Sequence, residues 1–182
     1  MKKITMLFAA VIIMAGFSIN VMAQTSATVS ATAAGAKLVV PMTLTQTSPL
    51  HFGTINVLTG AGGTVTLPSN STTRVFVNGV AASTVAPLAT NASYTVAGTR
   101  STTYALTLPS TITVTRTGGG TMTVSSLLAR FTNSSSADAV VSTLDADGAD
   151  AFTVGGTLTV PVAATAPSGV YAGTFAVTVD YN

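Results

Sequence analysis

Cysteine, tryptophan and glutamate are missing from this chain of 182 residues, and histidine occurs once. Without cysteine there is no disulfide framework, no thiolate zinc site and no thiol nucleophile. A single histidine cannot build a His-rich metal site. Charged side chains amount to 7 %, against roughly 25 % in an ordinary soluble domain, so the basic stripe that grips nucleic acid cannot be assembled. The formal charge of +2 comes from Lys2 and Lys3 at the extreme N-terminus. Beyond them Lys37, Arg74, Arg100, Arg116 and Arg130 balance Asp138, Asp145, Asp147, Asp150 and Asp180. A neutral chain has no long-range field to steer charged partners, and nucleic acid is not expected among them.

Threonine occurs 34 times and serine 17 times, so the surface is hydroxylated rather than ionic. Residues 1–23 read as a secretory signal. Met1-Lys2-Lys3 is basic, Ile4 to Ile19 is almost wholly apolar, and Val21-Met22-Ala23 places small residues before Gln24. The apolar stretch is short for a retained membrane span, and a lipoprotein would need a cysteine at the cleavage site. The expectation is export through the periplasm to the cell surface or beyond, with cleavage after Ala23 and no stable membrane insertion afterwards.

Past the leader the dominant signal is alternation. Phe175, Val177, Val179 and Tyr181 are interleaved with Ala176, Thr178 and Asp180. Leu158 and Val160 are interleaved with Thr157 and Thr159, Tyr104 and Leu106 with Thr103 and Thr107, and Met122 and Val124 with Thr121 and Thr123. Successive side chains of a strand point to opposite faces, so each run is a strand with one apolar and one threonine face. Turn signals such as Asn78-Gly79, Gly118-Gly119-Gly120 and Asp147-Gly148 punctuate these runs at the spacing of an all-β sandwich. We expect about ten strands by this pattern, over residues 37–44, 50–55, 64–67, 73–77, 93–97, 103–108, 112–115, 121–131, 151–162 and 170–181. The predicted fold is all-β and antiparallel, in one domain over residues 36–182. Residues 24–35 form an N-terminal extension of small side chains with feeble alternation.

Few residues offer chemistry. His51, in Pro49-Leu50-His51-Phe52-Gly53, has no acid or nucleophile placed beside it by sequence. Asp145, Asp147 and Asp150 gather three carboxylates around Gly148, which makes them calcium candidates. The EF-hand order is not followed, however, and a polar hairpin turn accounts for them as well. Four arginines are spread over different runs, and Tyr94, Tyr104 and Tyr171 read as core filling with a wet hydroxyl end rather than a sugar platform. Three Asn-x-Ser/Thr sequons begin at Asn70, Asn91 and Asn133. No catalytic residue, cofactor or metal ligand set is assigned.

The order of the fragments carries a resemblance. Pro41 stands in LVVPMTL, followed by LHFGTI (Leu50 to Ile55) and YTVAGTRSTTYALTLPSTITV (Tyr94 to Val114). GGGTMTV (Gly118 to Val124), FTVGGTLTV (Phe152 to Val160) and SGVYAGTFAVTVDYN (Ser168 to Asn182) complete the series. The chain resembles the DUF4402 family, a bacterial domain of unknown function grouped with fimbrial adhesins and pilins. The resemblance implies a pilin-like or immunoglobulin-like sandwich. Chaperone–usher pilins lack their last strand and are completed by the N-terminal extension of the next subunit. By that analogy Phe175, Val177, Val179 and Tyr181 line the acceptor groove, and Val29, Ala31 and Ala33 are the donor strand. The implied partners are copies of the chain, other fimbrial subunits and a periplasmic chaperone. The departure from pilins is that this chain has no disulfide.

The function expected from these readings is a secreted, non-enzymatic surface protein, structural or adhesive, with a fimbrial subunit as its most specific form. The alternative is a self-complete secreted module that binds a glycan or another surface polymer. A hydrolase would have to find its acid–base pair among five aspartates, three of them in one turn. An outer-membrane barrel would need a long apolar lipid face where this chain has threonine.

Overall fold

The structure is a computed structural model that describes residues 31, 33–58, 61–134, 137–162, 165 and 167–182. The leader and Val29 lie outside the described residues. The chain divides into two units, Met1–Lys37 and Leu38–Asn182. In the first, the described residues 31 and 33–37 are exposed and outside any strand, Ala31 and Ala33 among them.

The second unit is all-β and antiparallel, and contains no helix among the described residues. Its strands are β1 (Thr43–Ser48), β2 (His51–Phe52), β3 (Ile55–Val57), β4 (Gly63–Leu67), β5 (Val75–Asn78), β6 (Val80–Ala82), β7 (Ala89–Thr90), β8 (Ala92–Ala97), β9 (Thr103–Thr107), β10 (Thr111–Arg116), β11 (Thr121–Phe131), β12 (Val141–Thr143), β13 (Ala149–Val160), β14 (Tyr171–Ala172) and β15 (Thr178–Tyr181). The main sheet runs β1-β8-β13-β11-β10-β14, with β4 and then β5 attached beside β13. A second sheet runs β12-β9-β15, and two short ribbons pair β2 with β7 and β3 with β6.

The central member is β13. One edge pairs with β11 for most of its length. The other edge pairs with β8 from Ala149 to Val154, then with β4 from Gly156 to Val160. The change of partner falls at Gly155-Gly156. A Cβ on Gly155 would run into the Leu67 carbonyl oxygen and the Pro68–Ser69 backbone where β4 departs. Gly155-Gly156 is thus the point where one strand serves two neighbours.

Alternation then builds two cores. The first joins Tyr94 and Val96 of β8, Phe131 of β11 and Phe152 and Val154 of β13 to Tyr104 and Leu106 of β9, so it packs the two sheets face to face. Tyr94 stacks on Phe152 at 5.0 Å between ring centroids, and Phe131 meets the edge of Tyr104 at 5.7 Å. The second gathers Val65, Ile112, Val124, Leu158 and Val160 under Val80, with Phe52 and Ile55 packed against it. Leu127 and Phe175 touch both cores. Burying a side chain of this size contributes about 1.5–3 kcal/mol, which is how a chain without disulfides holds its sheets.

Three expected strands are corrected. Residues 50–55 do not form one strand: the backbone turns at Gly53, which has φ 73°, and β2 before it pairs with β7 while β3 after it pairs with β6. Residues 37–44 do not form one strand: β1 starts at Thr43, and Leu38, Val39 and Val40 are exposed outside it. Pro41 has no N–H to donate to a ladder, so the apolar run ends where pairing begins. Residues 170–181 also do not form one strand. Tyr171–Ala172 pairs with β10 of the main sheet, Thr178–Tyr181 pairs with β9 of the second sheet, and residues 173–177 cross between them.

Candidate functional site

The C-terminal segment keeps its alternation across that change of sheet. Phe175, Val177, Val179 and Tyr181 pack against the first core, while Ala176, Thr178 and Asp180 are exposed. β15 pairs with β9 along one edge, and along its other edge no strand is present among the described residues. Of the four acceptor-groove residues, Val179 and Tyr181 therefore lie on an edge strand, and Phe175 and Val177 lie in the crossing segment that leads into it. Of the three donor residues, Val29 is outside the described residues, and Ala31 and Ala33 are exposed.

Tyr181 also anchors the segment. Its hydroxyl donates to the Val40 carbonyl at 2.6 Å and accepts from the Thr99 N–H at 2.6 Å. Val40 N–H in turn donates to Thr99 Oγ1 at 2.7 Å. A Cβ on Gly98 would collide with the same hydroxyl, so the turn after β8 needs a glycine there.

A second opening lies on the other flank of β9. There β12 separates from it, the last bond being Leu106 N–H to the Val140 carbonyl at 2.8 Å. On β11, pairing with β10 ends at Ser125, and pairing with β13 slips between Ser125 and Leu128. Ser126 adopts φ 51° at this bulge. The result is an open cleft of about 610 Å³ whose walls include Leu106, Leu108, Leu127, Leu128, Ala139 and Val140. Sequence reasoning placed the groove only beside the C-terminal strand. The adjacent pair Leu127-Leu128 was the available signal, because two neighbouring apolar residues cannot share one face of a regular strand.

The three clustered aspartates are drawn apart in role. Asp145 and Asp147 are exposed, and Asp145 Oδ1 accepts from the N–H groups of Asp147 (2.9 Å) and Ala149 (2.8 Å) within its own turn. Asp150 is buried and faces the first core. Its Oδ2 accepts from Tyr104 Oη at 2.9 Å and Ser142 Oγ at 2.6 Å, and its Oδ1 from the N–H groups of Asn133 (3.1 Å) and Ala151 (2.7 Å). A buried carboxylate with four donors is well satisfied, and it ties β9, β12 and the loop after β11 to β13. Burial above all, then the bond to Asp150 and its charge, push the Tyr104 phenol well above its ordinary value; burial alone raises Tyr94. Among the described residues no group of three His, Asp or Glu side chains is placed to hold a metal ion.

The remaining polar residues are dispersed. His51 is exposed, and its Nδ1 accepts from Gly53 N–H at 2.8 Å. Arg74 Nη1 donates to the Phe52 and Thr54 carbonyls, both at 2.8 Å, and its guanidinium lies 5.1 Å over the Phe76 ring. Arg116 Nε donates to the Gly119 carbonyl, and Arg130 pairs with Asp138 at 3.3 Å. Tyr94 and Tyr104 are core residues while Tyr171 bonds the Pro167 carbonyl, so the three share no platform. Of the sequons, Asn91 is buried with its amide on the Pro68 carbonyl, and the Asn133 amide serves Ala149.

Fold and site together define an antiparallel β protein whose openings are sheet edges rather than a polar pocket. The chain belongs to the DUF4402 family, a domain of unknown function, whose model matches residues 42–181. No curated protein and no solved structure matches it.

Proposed function

We propose that this chain is an exported, non-enzymatic surface protein of structural or adhesive type, a fimbrial subunit in its most specific form, whose copies join by strand addition. The observation that carries this reading is the C-terminal segment, in which Phe175 and Val177 before β15 and Val179 and Tyr181 within it pack against the core, while the outer backbone edge of β15 has no strand partner among the described residues. An extended segment added there gains main-chain hydrogen bonds and places alternate side chains over apolar ground. The donor in this proposal is Val29, Ala31 and Ala33 of a neighbouring copy, and a periplasmic chaperone holds the edge beforehand. A non-enzymatic role is favoured by how the titratable groups are engaged: Asp150 by four donors, Asp138 by Arg130, Arg74 by carbonyls and His51 by its own turn.

One observation favours a self-complete binding module instead. No buried side-chain polar atom among the described residues lacks a partner. Size-exclusion chromatography of the chain from Gln24, with and without residues 24–35, separates the two. Strand addition predicts concentration-dependent oligomers that disappear with the deletion. A full chain that stays monomeric at high concentration assigns it to the binding-module class.

A further inference from the structure

Leu38, Val39 and Val40 are the one place among the described residues where three large apolar side chains in succession are exposed, at 87 %, 54 % and 58 %. Single exposed valines and leucines are ordinary on a folded domain, but an unbroken run is not. The run is also held from one end. Val40 donates its N–H to Thr99 Oγ1, and its carbonyl accepts from the Tyr181 hydroxyl. A segment fixed in this way loses less freedom when it docks than a loose tail would.

The cleft beside β9 is the matching concavity. Its volume of about 610 Å³ lies within the roughly 300–1,000 Å³ of clefts that take ligands. Leu128 and Val140 leave its two walls exposed. Asp138 is the one charged residue lining it, with Oδ1 held by Ser69 and Arg130. Exposed Lys37 stands immediately before Leu38. An apolar run with a cation at its head thus faces an apolar cleft with a carboxylate on its wall.

We infer that Leu38–Val40 of one copy seats in the cleft beside β9 of a second copy. A free aliphatic ligand would fill the cleft and leave the run in water, whereas a second copy covers both apolar features at once. The order of copies follows from position. Val40 is bonded at Thr99, in the turn before β9, and the cleft opens at Leu106 and runs past the end of β9, on the flank away from β15. Run and cleft lie toward opposite ends of one strand, so a junction uses the run of one copy and the cleft of the next and leaves one of each free. Such a heterologous contact repeats. Three residues cover far less than the roughly 800 Å² per partner of a stable interface, so a single junction is weak and is read by trapping. The contact is separate from strand addition at β15 and does not rest on it.

The chain has no cysteine, so introduced thiols report on one contact each. Chains from Gln24 carrying Leu38→Cys are mixed with chains carrying Leu128→Cys or Val140→Cys, one on each wall, and oxidised. All three positions are exposed, and circular dichroism checks that the variants fold. Disulfide heterodimers should form with at least one wall about tenfold faster than with Leu88→Cys, which is exposed outside the cleft, because docking raises the local thiol concentration. A chain carrying Leu38→Cys and the reactive wall cysteine together should give a ladder of dimers, trimers and larger species. The ladder should survive deletion of residues 24–35, and its loss there would assign the contact to strand addition and overturn the inference. Trapping at neither wall, a rate equal to that of Leu88→Cys, or equally fast homodimers of Leu38→Cys also overturns it. So does a double variant that closes as a monomer or stops at dimers. A wall thiol that no copy traps but that decanoate shields from maleimide would give the cleft to an aliphatic ligand and overturn it equally.

Discussion

Tyr104 and Gly155 are where single atoms decide most. The Tyr104 phenol is held neutral in the folded protein, well above the ordinary phenol value of 10.0, and returns to that value on unfolding. The unfolded chain therefore loses this proton first as pH rises. The stability contributed by the buried phenol is complete below pH 10.0 and is lost above it. Thermal melts from pH 8 to 11 should show an alkaline decline that is smaller in Tyr104→Phe. At neutral pH that variant should lose about 1–3 kcal/mol, because Asp150 is left with three of its four donors. Gly155→Val forces a side chain into the Leu67 carbonyl and should cost about 2–4 kcal/mol, near the upper end for point substitutions. A melt close to wild type would mean that β4 can leave β13 elsewhere.

The elements show how far a pattern of period two reaches. Residues 64–67, 93–97, 103–108, 112–115 and 121–131 are read from alternation nearly as they stand in β4, β8, β9, β10 and β11. Each has one face on a core and one in water, and that contrast is what sequence displays. β12 was missed because Val141-Ser142-Thr143 shows little contrast, its inward residue being Ser142 on Asp150. β1 was shifted because Leu38-Val39-Val40 looks like core while TLTQTS looks like surface. The C-terminal strand was read as continuous because alternation follows the core and not the hydrogen-bond partner, so a change of sheet at residues 173–177 leaves no trace. The same reason hides the cleft beside β9, whose walls come from segments distant in sequence. The register itself is testable. Val177→Asp puts a charge against the first core and should cost several kcal/mol, on the order of 2–4, whereas exposed Thr178→Asp should stay within about 0.5 kcal/mol. Denaturant titrations giving the reverse ranking would mean a one-residue slip.

At the scale of the molecule, the Tyr181 hydroxyl bridges the start of the domain at Val40 and the turn after β8 at Thr99. Within residues 38–182 the entry and exit of the fold are therefore neighbours. A circular permutant exploits this. Asn182 is joined to Leu38 by a flexible linker of about six Gly/Ser residues, and new ends are cut in the exposed turn at Gly118-Gly119, between β10 and β11. Backbone pairing in both cores is untouched, so the permutant should melt within a few degrees of the parent. Failure to fold would show that the order in which the strands are threaded matters, and not only their final adjacency.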